Sequence, residues 1–309
     1  MLTRRRFVEL CSAAAVAPAS PAAPRFRVGI TTDTRNGWEH DVLLSFREAA
    51  EVGFHAVETF YHFVLPWWDK PQELRKILDG LNLRFVTVSN GGPMKTQFEN
   101  PALAAQIIEE HLRLVRWIKG FGCDHLKINT GGRRPGGTTR EDLIQMSKTM
   151  NEIGKRTSDE GLKFGVHAHL WTQLQDRFEI DRLMELTDPR HVFLVLDTGH
   201  ITMAGIDPVE LARAYVSRIV EFHMKDTRPQ DRGGHKGPPP PREGYTDKGR
   251  RIFFELGNGG VDFPGILAVL RKNDWDGWLT VELDSTDTTP KQSAAQSKKY
   301  LQAVLHLEV

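Results

Sequence analysis

Cysteine is nearly absent from this 309-residue chain, which has only Cys11 and Cys123. Two thiols exclude a disulfide framework and a thiolate-bound metal centre. An excess of charge is missing as well: 41 Lys and Arg against 40 Asp and Glu give +1. That balance lacks the electrostatic footprint of a nucleic-acid binder. The short basic runs "GGRRPGG" and "DKGRRIFF" sit among turn residues and read as solvated loops. No apolar run is long enough to span a bilayer as a helix. What remains is 39% hydrophobic and 26% charged, an ordinary composition for a chain of this length with its own core.

The first residues, "MLTRRRFVELCSAAAVAPASPAA", carry three arginines, a short small-residue apolar segment and the small-x-small pattern Ala17-Pro18-Ala19. This arrangement predicts an export signal over residues 1–23 rather than an element of the fold. "TRRRFVE" resembles the twin-arginine consensus, with a third arginine between the pair and Phe7. The resemblance implies export of a folded protein to the periplasm, with any metal already loaded and no membrane attachment after processing. Cleavage after Ala19 would remove Arg4, Arg5, Arg6 and Glu9, leaving 38 basic against 39 acidic residues.

From residue 24 to 309 the chain alternates short β-branched runs with segments of helical period. Eight strands are predicted, at 26–32, 56–61, 84–90, 125–131, 163–169, 192–198, 219–225 and 277–283. Helical segments lie at 40–52, 71–80, 101–119, 140–160, 178–187, 207–217 and 262–272. Strands alternating with helices build right-handed parallel units. Eight of them in a single domain of this length make a (β/α)8 TIM barrel. An open doubly wound sheet would want a glycine-rich phosphate loop after its first strand, and "ITTDTRNGWEH" has none. Residues 226–251, rich in Pro, Gly and charge, read as a loop insertion on the functional rim.

In a parallel barrel the C-terminal strand ends share one mouth. They carry Glu58, Asn90, Lys127, Asn129, His167, His169, Asp197, His200, His223, Lys225 and Glu282. Residues two apart share a face, so His167 and His169 are expected to point inward together, as are His223 and Lys225. His169, Asp197, His223 and Glu282, from four successive strands, form a mixed nitrogen and oxygen set. It suits one divalent ion, with Mn, Mg, Co and Zn as candidates. Trp68, in "VLPWWDK" on the same rim, is a candidate for stacking on a sugar face.

The segments "VHAHLWT", "LDTGH", "MAGIDP", "EFHMKD", "ELGNGGVDF" and "WLTVELD", in that order, together resemble the xylose-isomerase-like barrel superfamily, nearest the inosose dehydratases and ketose 3-epimerases. The resemblance implies that Asp197, His223 and Glu282 are metal ligands. His169 takes the fourth position, a glutamate in the ketose epimerases and part of a His-x-His strand in inosose-dehydratase-like members, so the choice between His167 and His169 as the ligand stays open. It also implies substrate contacts at His200, at Gln175 and near Arg228, a small carbohydrate substrate, and a dimer or tetramer.

With a histidine in place of one glutamate, the symmetric two-carboxylate epimerisation is in question and a one-base reaction fits. The expected chemistry is proton abstraction beside the carbonyl of a keto sugar, keto-glycoside or inosose. Glu282 or His169 would be the base, and Lys225 an acid if its pKa is lowered. His167, Glu58 and Lys127 are expected to line the cavity. Isomerisation, epimerisation and elimination of water or a glycosyl group stay open. A metal endonuclease and a non-catalytic sugar-binding protein are the alternatives from other classes.

Overall fold

The computed structural model describes residues 26–228, 230, 232–233 and 251–309. The expected export signal at 1–23 and most of the expected insertion at 226–251 lie outside the described residues. Eight strands form, β1 (Arg27–Thr31), β2 (Ala56–Phe60), β3 (Arg84–Ser89), β4 (His125–Asn129), β5 (Lys163–Ala168), β6 (Val192–Asp197), β7 (Ile219–Met224) and β8 (Trp278–Val281). The intervening helices are α1 (Val42–Val52), the one-turn α2 (Tyr61–Val64), α3 (Pro71–Gly80), α4 (Ala104–Lys119), α5 (Arg140–Asp159), α6 (Arg177–Leu186), α7 (Thr198–Met203), α8 (Pro208–Tyr215), α9 (Phe263–Lys272) and α10 (Pro290–Ala303).

The sheet is parallel throughout, in the order β3-β2-β1-β8-β7-β6-β5-β4. Its two end strands meet across a seam stitched by side chains. Thr87 Oγ1 donates to the His125 carbonyl at 2.8 Å and Asn90 Nδ2 to the Asn129 carbonyl at 3.0 Å. The Asn129 N–H returns a bond to Asn90 Oδ1 at 2.7 Å. The chain is therefore the nearly closed (β/α)8 barrel expected from its strand count, and Asn90 is one of its closures.

Alternation sorts the buried strands into an apolar outer face and a polar inner one. On β7, Phe222 packs edge-on against Trp275 under the helices, while Glu221 and His223 turn inward. On β4, Leu126 and Ile128 join the main apolar cluster and Lys127 is fully buried inside the barrel. Side chains that fill a barrel interior are usually branched and apolar. Here they are charged, which means each must find a partner.

At the foot of the interior His125 bridges Asp124 (2.8 Å) and Glu221 (2.9 Å). Burial alone would depress this ring, but Asp124 and Glu221 raise it from 6.5 to about 9. A histidine raised on folding stabilises below its unfolded value and loses that contribution as pH climbs through the folded one. The stability advantage of the protein over His125→Gln is therefore expected to be full below pH 6.5 and to fade as pH approaches and passes about 9, read from thermal unfolding against pH.

The glycine-rich run after the insertion, "ELGNGG", wraps a carboxylate of the chain itself. Asp226 accepts N–H bonds from Thr227, Gly257, Gly259 and Val261 at 2.8–3.1 Å. A Cβ at Gly259 would lie 2.3 Å from Asp226 Oδ1 and 2.6 Å from the Thr227 carbonyl. Gly259→Ala must break this clasp and is expected to cost about 2 kcal/mol or more in chemical denaturation, because hydrogen bonds to a charged acceptor are lost together.

Candidate functional site

Four side chains from four consecutive strand ends converge at the mouth: His167, Asp197, His223 and Glu282, all buried, with one ligand atom of each within 4.8 Å of the others. Strand register places them. Asp197 pairs with His223 across β6 and β7, and Glu282 follows β8 with its N–H on the Met224 carbonyl. Asp197 also starts α7, one oxygen accepting the His200 N–H at 2.8 Å. The apolar run "FLVL" before it is the buried strand that carries this carboxylate inward.

Two atoms facing the middle of this group are buried without a hydrogen bond among the described residues, His167 Nε2 and Asp197 Oδ2, 3.6 Å apart, although the oxygen lies 3.3 Å from the Lys225 ammonium. His223 Nδ1 lies 3.9 Å from the same oxygen and touches Glu282 Oε2. Imidazole nitrogens and carboxylate oxygens gathered at one buried point suit a cation, a need that the Lys225 ammonium beside Asp197 and Glu282 meets in part. The far side of each ring fits as well. His167 Nδ1 is 2.8 Å from Asn129 Oδ1 and His223 Nε2 is 2.9 Å from Glu58 Oε2, the acceptors that fix the tautomer of a metal-bound histidine. Glu58 is itself clamped by Lys127 Nζ at 2.6 Å. Residues and geometry therefore fit a divalent metal.

Charges follow from this crowding. Burial alone would lower the His223 ring, but Glu282 and Glu58 raise it to about 10. Burial would raise Glu282, yet His223, Lys225 and Lys127 hold it well below the usual carboxylate range. Burial pushes Asp197 up to about 7 against the pull of Lys225. His167 is driven well down, first by burial and then by Lys127 and His223.

The fourth donor of the group is His167, where His169 was expected. β5 ends at Ala168, so the expected alternation stops one residue short of His169. Its ring turns away to lie over His200, centroids 3.4 Å apart, with Nδ1 2.6 Å from the Leu170 carbonyl. It still borders a cavity of about 290 Å³ lined also by Asp33, Arg35, Lys127, Asn129, His167, Trp171, Glu282 and Asp284.

Lys225 points inward with His223, as expected, but its charge is not the expected one. Its ammonium sits 2.7 Å from Asp284, 3.2 Å from Glu282, 3.3 Å from Asp197 and 3.0 Å from His200 Nε2. Burial would lower it, but Asp197, Asp284 and Glu282 raise it well above its ordinary value. It is a fixed positive charge rather than an acid of lowered pKa.

Five expected substrate contacts do not line the cavity. His200 is enclosed by His169, Trp171 and Phe253. Gln175 Oε1 accepts the N–H of Trp171, a bulky residue held at φ 63°, and so fixes a strained turn of the cavity wall. Glu58 lies beneath, behind His223. Arg228 covers the Phe254 ring at 4.7 Å. Trp68 stacks on Trp117 of α4, centroids 5.3 Å apart, and borders a separate groove with Arg75, Arg113 and Arg116. Asp33 and Asp284, which do line the cavity, were not singled out. Both follow strands, in "GITTD" and "TVELD", so reading every strand end to the next acidic residue would have found them.

The sequence profile of the xylose isomerase-like TIM barrel matches residues 46–304. The chain belongs to that family. Among curated relatives it is 34% identical to the inosose dehydratase of Clostridium tetani over 167 residues, which is 53% of this chain and 55% of that one. The inosose dehydratase of Lacticaseibacillus casei is 33% identical over 172 residues, 55% of this chain and 57% of that one. The chain thus spans about half the length of the curated relatives it matches. The solved D-allulose 3-epimerase of Methylomonas sp. superposes with a TM-score of 0.69 at 18% identity, covering 91% of this chain and 98% of that one. At that identity the likeness concerns the barrel alone.

Proposed function

We propose that this family member is a divalent-metal-dependent enzyme that removes the proton beside the carbonyl of a keto sugar, keto-glycoside or inosose. The observation that carries the reading is the convergence of His167, Asp197, His223 and Glu282 at one buried point, with His167 Nε2 and Asp197 Oδ2 free of hydrogen bonds among the described residues. His167, Asp197, His223 and Glu282 would hold the ion, with Mn as the favoured metal. When bound, it supplies Lewis acidity toward a carbonyl oxygen, making the neighbouring C–H easier to ionise.

The chain's own groups do the rest. Glu282, kept ionised by His223 and Lys225, takes the proton. His169 borders the same cavity. Burial lowers its ring to about 4, so it is neutral, and donation from Nδ1 to the Leu170 carbonyl leaves Nε2 as a second proton acceptor. Lys225 keeps three carboxylates from repelling one another. An ionised glutamate and a neutral histidine make an unequal pair of proton acceptors, suited to isomerisation, epimerisation or loss of water once one of them has taken the substrate proton. The last is favoured by relatives named inosose dehydratase. Export through a twin-arginine signal, after metal loading, is part of the same proposal.

Solvent-deuterium incorporation tests it, with Mn-loaded protein and a panel of ketoses, inososes and 3-keto-glucosides read by mass spectrometry. Deuterium in recovered substrate or product is the expected result, and the product mass separates isomerisation from loss of water or a glycosyl group. Metal-loaded protein that exchanges no panel member contradicts the proposal.

A further inference from the structure

We infer that Asp33 is the proton donor to the departing hydroxyl group when this site dehydrates an inosose, an inference that rests on the proton abstraction proposed above. Asp33 follows β1, whose end is tied to β2 through Thr32 Oγ1 and Thr59 Oγ1 at 2.9 Å. It lines the cavity together with Glu282, His169 and Asp284. The other acids there are engaged: Asp284 and Glu282 by Lys225, and Glu282 by His223. Asp33 Oδ1 is buried with no hydrogen-bond partner among the described residues. A buried carboxyl oxygen with no hydrogen-bonded cation among the described residues, facing other carboxylates, is one that keeps a proton.

Burial, then Glu282 and Asp284, raise this carboxyl to about 7 against the opposing pull of Lys127 and Lys225. The contrast with ionised Glu282 across one cavity is the usual division between acid and base, two carboxyls separated by their surroundings. Glu282 takes the hydrogen from the carbon beside the carbonyl, and that electron pair becomes the new carbon–carbon double bond. The C–O bond on the next carbon breaks with its electrons going to oxygen. The Asp33 proton joins that oxygen, so water leaves. Glu282 ends protonated and Asp33 ionised, and exchange with solvent restores both. No oxidant or reductant is involved.

The test uses Mn-loaded Asp33→Asn protein and an inosose in deuterium oxide. Water loss is expected to fall about 10²- to 10⁴-fold, the usual worth of a general acid, while deuterium still enters beside the carbonyl. A fluoro-inosose with fluoride at the departing position needs no proton on its leaving group and is expected to restore elimination by the variant. Calorimetric titration with Mn is expected to match the parent protein, which separates a lost donor from a damaged site. Asp33→Ser, also without an acidic proton, is expected to behave alike and serves if Asp33→Asn does not fold.

Undiminished water loss in the variant overturns the inference, as does a fluoro-inosose slowed as much as the parent substrate. Parent protein that exchanges deuterium but never releases water overturns it alone. Parent protein that neither exchanges nor releases water overturns the proton-abstraction reading and this inference with it.

Discussion

Glu282→Gln is expected to lower turnover by about 10²- to 10⁴-fold, the contribution of a positioned general base, while the barrel still folds. The variant keeps the side chain's shape and an amide oxygen able to face an ion, but gives up the oxygen that accepts the substrate proton. The fold is expected to survive because Lys225 retains Asp197 and Asp284, and because the Glu282 N–H on the Met224 carbonyl is a backbone bond. Circular dichroism and thermal unfolding establish the folded state, and solvent-deuterium exchange measures the abstraction. Near-normal exchange in a folded variant would remove Glu282 from the role of base.

The second large effect concerns stability. Lys127→Met removes the cation 2.6 Å from Glu58, at a position where both side chains are fully buried. Burial alone would raise the Glu58 carboxyl, yet Lys127 and His223 lower it to about 2, so it is ionised throughout the physiological range. Breaking one side of a buried pair typically costs about 3–5 kcal/mol, because the remaining charge keeps its desolvation penalty. Lys127→Met together with Glu58→Gln is expected to recover part of that loss, since the buried carboxylate left with His223 alone is then gone. Denaturant unfolding of both proteins checks this, and a double variant no more stable than the single one would refute it. Metal affinity is expected to fall in the double variant, because His223 then loses the charged acceptor behind its ring.

The barrel was legible because β-branched runs such as "FLVLD" recur between helical segments, and alternation within them is a local property. α10 escaped the sequence reading because "PKQSAAQSKKYLQA" has a weak apolar stripe. Its start is instead fixed by a capping box at Thr289 and Gln292 with Pro290 in the first turn. Three of the four clustered donors, Asp197, His223 and Glu282, were legible as strand-end residues. The choice between His167 and His169 was not, because it depends on where β5 stops, and strand ends are set by tertiary pairing as much as by sequence. His167 is in register with Asn129 at the last rung of the ladder, which aims its ring inward, while His169 already belongs to the turn held by Leu174 and Leu170. Trp68 was misread for a related reason. Lying after a strand end does not settle which way a loop aromatic packs, and Trp117 of α4 offered a stacking partner 5.3 Å away.

The most direct test of the central claim is the metal content of three proteins, the parent, His167→Ala and His169→Ala, each dialysed against Mn and assayed by elemental analysis. One ion per chain in the parent and in His169→Ala, with loss of the ion or sharply weakened binding in His167→Ala, is the result this account predicts. A parent protein that holds no divalent ion would contradict it, and so would a His167→Ala variant that binds as tightly as the parent.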